Sequence, residues 1–402
     1  MRKIDLTNFQ VATSETARDI NRRIVLNLIR SHQPISRADL ARHSGLQRST
    51  VSVIAEQLIE ERWVTEGANG HTLRGRRPRF LHLNKERVGI IGVNIRPATT
   101  TVALADLDAH FVAQESLPTA KSPEQFIADL VPRLRSLIKI RPEITCEGIG
   151  VSLPGRVDLA SQRLVFAPNL GWSDFDLKTP LEEATGLPVE LENAANACAL
   201  AEIWFGRHTE GVSNLIAVTI SEGIGTGLIL NHQLLRGSTG LAGEFGHITI
   251  VEDGLECPCG NRGCWEVYAS NAAAVRYYSQ STGRSGKPGV KLAGQAPTFD
   301  DVLRLTEQGD LKAIEAINQM ARYLGAGLAL LVTGLSPDMI VVVGEVTRLW
   351  KLVGPVITDI VGKRSFSHAT TRIVPTDASA EPRLLGTIAL VLQKHFGAPS
   401  VA

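Results

Sequence analysis

Three cysteines within eight residues, Cys257, Cys259 and Cys264, follow a histidine ten positions upstream, His247, in the stretch GEFGHITIVEDGLECPCGNRGCWE. No other feature of the sequence restricts the fold so tightly. Three thiolates and one imidazole at this spacing match a closed, tetrahedral structural zinc site, and closing one makes the intervening loop double back on itself. The alternative, free thiols in a flexible loop, is disfavoured by the C-x-C-G-x-x-G-C pattern. The chain holds five cysteines, which do not form a disulfide framework and suit a reducing compartment. Closure of the loop would also fix Glu244 and Glu266 beside it, linking metal binding to carboxylate geometry.

Charge divides the chain. Residues 1–87 carry 16 Lys and Arg against 9 Asp and Glu, a balance of +7, and the remainder carries 26 against 32, a balance of −6. A basic head on an acidic body suggests that only the head meets a polyanion. No apolar run reaches the ~18 residues of a membrane helix. The N-terminus, MRKIDLTNFQ, lacks the apolar core of a signal peptide, so a cytoplasmic location is expected.

Within the head, helical periodicity from Ala17 to His32 places Ile20, Ile24, Val25, Leu28 and Ile29 on one face, and Pro34 ends that helix. Ser36 and Asp39 form an S-x-x-D start for a short second helix, His43-Ser44-Gly45-Leu46 a turn, and Arg48 the start of a third helix with Val51, Ile54, Leu58 and Ile59 inward. That order is a helix-turn-helix. Its last helix presents Gln47, Arg48, Ser49, Thr50 and Ser52 to a major groove. A hairpin of Trp63–Glu66 and Phe80–Leu83 flanks the loop GANGHTLRGRRPR, whose Arg74, Arg76 and Arg77 suit a narrow minor groove. A three-helix unit can also be an interaction module, and an Arg-rich loop a solvated linker. The +7 balance makes the two features reinforce one another, and operator DNA is the expected partner.

From Val88 the pattern changes to strands, VGIIGVNI, TTTVALADL and FVAQESL, then a helix opened by Ser122-Pro123. GIGVSLPG and LPVELEN follow, and a second set begins with NLIAVTI and GTGLILN and later includes MIVVVG. Mixed meander and βα units in two halves predict a two-lobed α/β body with a cleft. GIGTG, Gly223–Gly227, lies where a phosphate could approach backbone N–H groups, although a glycine hairpin reads the same way.

The body resembles the ROK family (repressor, ORF, kinase), which groups repressors and sugar kinases on the actin-like ATPase fold. The residues that carry the resemblance are GIGTG, GEFGH, CPCGNRGCWE and ENAANACALAE at Glu192–Glu202. The helix-turn-helix and the GRRP linker are typical of the repressor branch, so the likeness covers essentially the whole chain. Within that branch it is greatest to xylose repressors, through VFAPNLGWSDFDL, GEFGHITI and NRGCWEVYAS. The resemblance implies an α/β chain: a winged helix-turn-helix over residues 1–84, a first lobe over 85–202 completed by a helix at 382–397, and a second lobe with the zinc loop over 203–381.

Kinases of this family carry an aspartate third in E-N-D-A-N, which takes the proton of the sugar hydroxyl. Here the position is Ala194, which cannot accept a proton. The family's D-x-G-G-T phosphate loop is matched by Asn94-Ile95-Arg96-Pro97-Ala98, and the glycine run at the adenosine-side strand by VVVGEV. No catalysis is expected. The resemblance assigns sugar contacts to Asn169, Asn193, Glu244, His247 and Glu266; Trp172 and Trp265 flank this set in sequence and are candidates to line the pocket. Amides and carboxylates in a cleft can satisfy a polyol, while some could merely cap helices. The expectation is a homo-oligomeric, sugar-responsive repressor of a xylose or related catabolic operon, released from its operator when an aldose closes the cleft. The alternative is an ATP-dependent sugar kinase with an appended DNA-binding head.

Overall fold

A computed structural model describes residues 13–69, 79–158, 160–206, 211–283, 297–365, 370–377 and 380–397. The chain begins with helix α1 (Ser14–His32), three residues earlier than the apolar periodicity suggests. The reason is a capping box, in which Thr13 accepts from the Thr16 N–H and the Thr16 hydroxyl accepts from the Thr13 N–H. Its buried face is Val25, Leu26 and Ile29, while Ile24 is exposed rather than inward. A two-residue strand β1 (Ile35–Ser36) leads to α2 (Arg37–Ser44), where the Ser36 hydroxyl caps the helix from the Asp39 N–H. Gly45, at φ 71°, ends α2 in the left-handed region that its missing β-carbon permits. Helix α3 (Arg48–Glu60) and strands β2 (Val64–Asn69) and β3 (Arg79–Leu83) complete the head. Its three strands pair in the order β1-β3-β2.

The first lobe opens with the antiparallel meander β4 (Val88–Ile95), β5 (Thr99–Asp106) and β6 (Phe111–Pro118). Helix α4 (Pro123–Ile140) is capped by Ser122. Strand β7 (Thr145–Leu153) is followed by the short strands β8 (Arg156–Val157), β9 (Leu164–Ala167) and β10 (Trp172–Phe175), which form a small sheet of their own. Helix α5 (Lys178–Thr185) and strand β11 (Val189–Asn193) close the lobe as a five-stranded sheet in the order β11-β7-β4-β5-β6. Helix α6 (Ala194–Phe205) then crosses to the second lobe.

The second lobe repeats the plan. Strands β12 (Leu215–Ile220), β13 (Ile224–Leu230) and β14 (Gln233–Leu234) form a meander. After a short 3-10 turn at Phe245–His247 come α7 (Glu266–Ala269), α8 (Asn271–Ser281), α9 (Phe299–Glu307) and the long α10 (Leu311–Leu335). Strand β15 (Met339–Val343), α11 (Trp350–Arg364) and β16 (Arg372–Pro375) complete a second five-stranded sheet, β14-β13-β12-β15-β16. Helix α12 (Pro382–Phe396) returns across β4 and β7 and packs along α6. Among the described residues no helix is long and apolar enough to cross a membrane.

Head and body share one apolar cluster. Leu26, Ile29, Leu58 and Trp63 of the head pack with Val88 and Ile90 of β4 and with Leu392 and Phe396 of α12. Arg30 lies over the Trp204 ring of α6 at 4.8 Å and over Phe396 at 5.8 Å, so the head rests on both helices that join the lobes. Asn27 Nδ2 donates to the Phe396 carbonyl at 2.6 Å and Arg23 to the Gly397 carbonyl at 2.8 Å, satisfying carbonyls at the end of α12. Burial pushes the His395 imidazole down to about 4, and nearby Arg22, Lys394 and Arg23 act in the same direction. That ring is neutral at neutral pH, so the 3.7 Å approach of Glu147 is not an ion pair there.

Candidate functional site

The residues expected to meet DNA lie at the start of α3. Gln47 is its N-cap residue and makes no side-chain cap bond, leaving its amide free for a partner. Gln47, Arg48 and Ser49 are exposed, while Thr50 and Ser52 are half-buried. Val51, Ile54, Ala55 and Leu58 turn inward and fix which face of α3 remains outside. Glu66 on β2 accepts from Arg79 at 2.7 Å and also from Arg37 on α2, tying the wing strands to the helices. Arg74, Arg76 and Arg77 lie outside the described residues.

The metal-binding candidates converge. One ligand atom each from His247, Cys257, Cys259 and Cys264 lies within 4.8 Å of the others. Cys257 Sγ is 3.7 Å from His247 Nδ1, and Cys259 Sγ is 3.7 Å from Cys264 Sγ. A tetrahedral ion with ~2.3 Å bonds to sulfur has edges of about 3.8 Å, so this donor set fits a metal ion. The loop's backbone doubles back through Ile250 N–H to Gly263 O at 2.8 Å and Cys257 N–H to Asn261 O at 2.8 Å. Gly263, at φ 72°, sits where a β-carbon would run into the Val251 carbonyl, which accounts for the glycine just before Cys264. Burial pushes the Cys257 thiol up to about 12, so a bound cation would have to displace its proton.

His247 faces two ways. Its Nδ1 points to the sulfurs, and its Nε2 lies 3.8 Å from Glu244 Oε2. Glu244 is exposed. Glu266 follows the loop directly and its Oε2 accepts from the Ile224 N–H at 2.9 Å, at the hairpin between β12 and β13. Asn193 caps α6, accepting from the Ala195 N–H at 2.8 Å and donating to the Gly155 carbonyl at 2.7 Å. Asn169 is exposed in the turn between β9 and β10. Ala194 occupies the first turn of α6, where its methyl offers no base.

Of the two readings open for GIGTG the structure shows the glycine hairpin, and the two tryptophans depart from their expected place. Only Gly223 of the GIGTG segment lies in the turn; Gly225 and Gly227 belong to β13. A β-carbon on Gly227 would collide with the Ala195 carbonyl, so this glycine lets α6 pack tightly on the strand. Trp172 and Trp265 are core residues, not pocket walls: they are 2% and 1% exposed, and their indole N–H groups donate to Lys121 O at 2.8 Å and Tyr323 O at 2.9 Å.

Sequence reasoning missed the charges that join the lobes. Glu192, 4% exposed on β11, accepts from Arg236 beyond β14 at 2.8 Å and from Asn196 Nδ2 at 2.9 Å. Arg156 Nε donates to the Thr239 carbonyl at 3.1 Å, and Arg96 reaches Glu345 at 3.2 Å. The residues stood in the sequence as ordinary charges, with nothing to mark their partners.

A ROK family model matches residues 90–394, and a winged helix-turn-helix DNA-binding model matches residues 18–65. The chain belongs to the ROK family. This ROK chain is 31% identical to the xylose repressor of Bacillus subtilis over 391 residues, covering 96% of this chain and 98% of that protein. It is similar in structure to a ROK family transcriptional regulator described as a homologue of the Escherichia coli MLC protein, with 26% identity, a TM-score of 0.82 and coverage of 95% and 98%. A ROK glucokinase from Streptomyces griseus, in complex with glucose and AMPPNP, matches at 30% identity and a TM-score of 0.67, over 76% of this chain and 99% of its own. The family resemblance, the winged head and the actin-like ATPase fold read from the sequence are therefore correct.

Proposed function

We propose that this ROK protein is a sugar-responsive, DNA-binding transcriptional repressor of a xylose or related aldose operon, working without catalysis. The observation that carries this reading is that the head rests on α6 and α12, the two helices that join the lobes. Any change in lobe angle must therefore reach the DNA-facing start of α3. Ala194 at the start of α6 supports a binding role over the kinase alternative, because a hydroxyl nucleophile needs a base.

The reading divides the chain into a head at 1–84, a first lobe at 85–202 completed by 382–397, and a second lobe at 203–381. Gln47, Arg48, Ser49, Thr50 and Ser52 read the major groove, and Arg74, Arg76 and Arg77 enter the minor groove. Asn169, Asn193, Glu244, His247 and Glu266 hold the sugar. A structural zinc ion on His247, Cys257, Cys259 and Cys264 keeps the His247 ring oriented toward Glu244. The protein acts in the cytoplasm as a homodimer, one head per half-site. Sugar closes the cleft, and its preference for the closed state sets the largest possible loss of operator affinity.

The test is calorimetric titration of the zinc-loaded chain with xylose and glucose, paired with gel-shift measurements on a duplex selected from a random pool by the full chain. One aldose should bind saturably and release the duplex. Glu244→Ala should abolish that release while leaving sugar-free duplex affinity within about twofold. Aldose binding without any change in duplex affinity would overturn the repressor mechanism. Normal release by Glu244→Ala would overturn the pocket assignment.

A further inference from the structure

Two positions that depart from the kinase pattern meet in space. Arg96 follows β4 in the first lobe, and Glu345 follows β15 in the second. The Arg96 Nη2 lies 3.2 Å from Glu345 Oε1, and Asn271 Nδ2 donates to the other oxygen, Oε2, at 3.2 Å. Each partner is held in its own lobe. Thr119 donates to the Arg96 carbonyl at 2.7 Å, and Asn271 is anchored by its N–H to the Ser221 carbonyl at 2.9 Å. Gly344, just before Glu345, is braced by the Thr347 hydroxyl at 2.7 Å. Burial works against the Glu345 charge, yet its own backbone N–H, Arg96 and Asn271 together hold the carboxyl below its usual range. The carboxylate is therefore ionised and available to the guanidinium. Both side chains keep about two-fifths of their surface exposed, 40% and 42%, so the pair can open and reclose without stranding a buried charge.

We propose that Arg96 and Glu345 are positioning residues for the sugar response, forming a latch that draws the two lobes together from the ends of β4 and β15. A cleft with this latch begins its closure without nucleotide, so an uncharged sugar alone can complete the movement. Breaking the latch transfers that part of the closure to the sugar's own binding free energy and weakens its affinity. The latch rests on the sugar-sensor reading only for its consequence; the lobe contact itself can be measured without sugar.

An exposed ion pair contributes up to roughly 1 kcal/mol, which corresponds to about a fivefold change in affinity. Arg96→Glu and Glu345→Arg should each raise the aldose dissociation constant by about threefold to fivefold. The swapped double variant, R96E/E345R, should return within twofold of the wild type. Small-angle scattering of the sugar-free chains supplies the second measurement: each single variant should show a larger radius of gyration, and the swap should reverse it. Raising the salt to 1 M should shrink the difference between wild type and single variants, since the pair is within reach of counterions. Singles that match the wild type in scattering, or a swap no better than the singles, overturn the latch. If no aldose binds even the wild type while the scattering shows expansion and rescue, the latch stands and the sugar-sensor reading falls.

Discussion

A β-carbon on Gly327 of α10 would sit inside the Trp265 indole, one residue from Cys264 and one from Glu266. Packing at that point is therefore tied directly to the cysteine-rich loop and to Glu266. Gly327→Ala should cost roughly 1–3 kcal/mol through overpacking, read as a lower urea midpoint. On the proposed pocket, the same variant should also weaken aldose binding, because the crowded Trp265 is the chain neighbour of Glu266. At the proposed DNA end, Arg48→Ala should lower affinity for a selected duplex by about fivefold or more, in line with the ~1–3 kcal/mol of a good base contact. A gel-shift series with no change would remove Arg48 from the reading face. Residue identity was legible in the sequence where partners are close in the chain, as for the Ser36 and Ser122 caps. It was not legible for Gly227, whose partner Ala195 is on another element, or for Trp172 and Trp265, whose apolar clusters are assembled from residues far along the chain.

At the scale of elements, the loop from His247 to Cys264 is the one whose order should depend most on a ligand. Its backbone has its own hydrogen bonds, but Cys259 is exposed and three sulfurs face one another. On the proposed zinc reading, a strong chelator should make the loop's thiols reactive and lower aldose affinity by about tenfold or more, while sugar-free duplex binding is retained. The measurements are thiol titration and calorimetry, and readded zinc should reverse both. This element was almost fully legible, because four candidate ligands of specific chemistry lie within eighteen consecutive residues. The lobes were legible as strand patterns, with β4 at the residues expected. The salt links across the cleft were not, because a lone Arg96 or Glu192 in a sequence carries no mark of a partner far along the chain.

At the scale of the molecule, α12 decides how head and body behave together. His395 near its end packs against Trp63 of the head at 4.4 Å between ring centroids. Its folded pKa, about 4, is below the ordinary histidine value near 6.5, so the unfolded chain takes up the proton first. Stability from this ring is complete above about pH 6.5 and declines as the pH falls toward 4. Arg22, Arg23, Lys394, Glu61 and Glu147 surround it, and the three cations deepen the effect. His395→Gln should flatten the acid side of the stability profile between those limits, measured by thermal melting against pH. An unchanged slope would assign the acid sensitivity elsewhere. Trp63→Ala should cost roughly 3–5 kcal/mol and, because the cluster is shared, lower the melting of head and body together.

The same shared cluster bears on the order in which the protein can be built. Chains leave the ribosome from the N-terminus, and domains commonly fold in that order. Here the head emerges first, yet Leu392 and Phe396, which close its apolar cluster, are made after both lobes. A nascent chain therefore carries an unfinished reading head until Leu392 and Phe396 have been made. Stalled chains ending before residue 382 should show a protease-sensitive head, and release of the complete chain should protect it. Operator occupancy would then be reserved for finished molecules, which already contain the sensor that can end it.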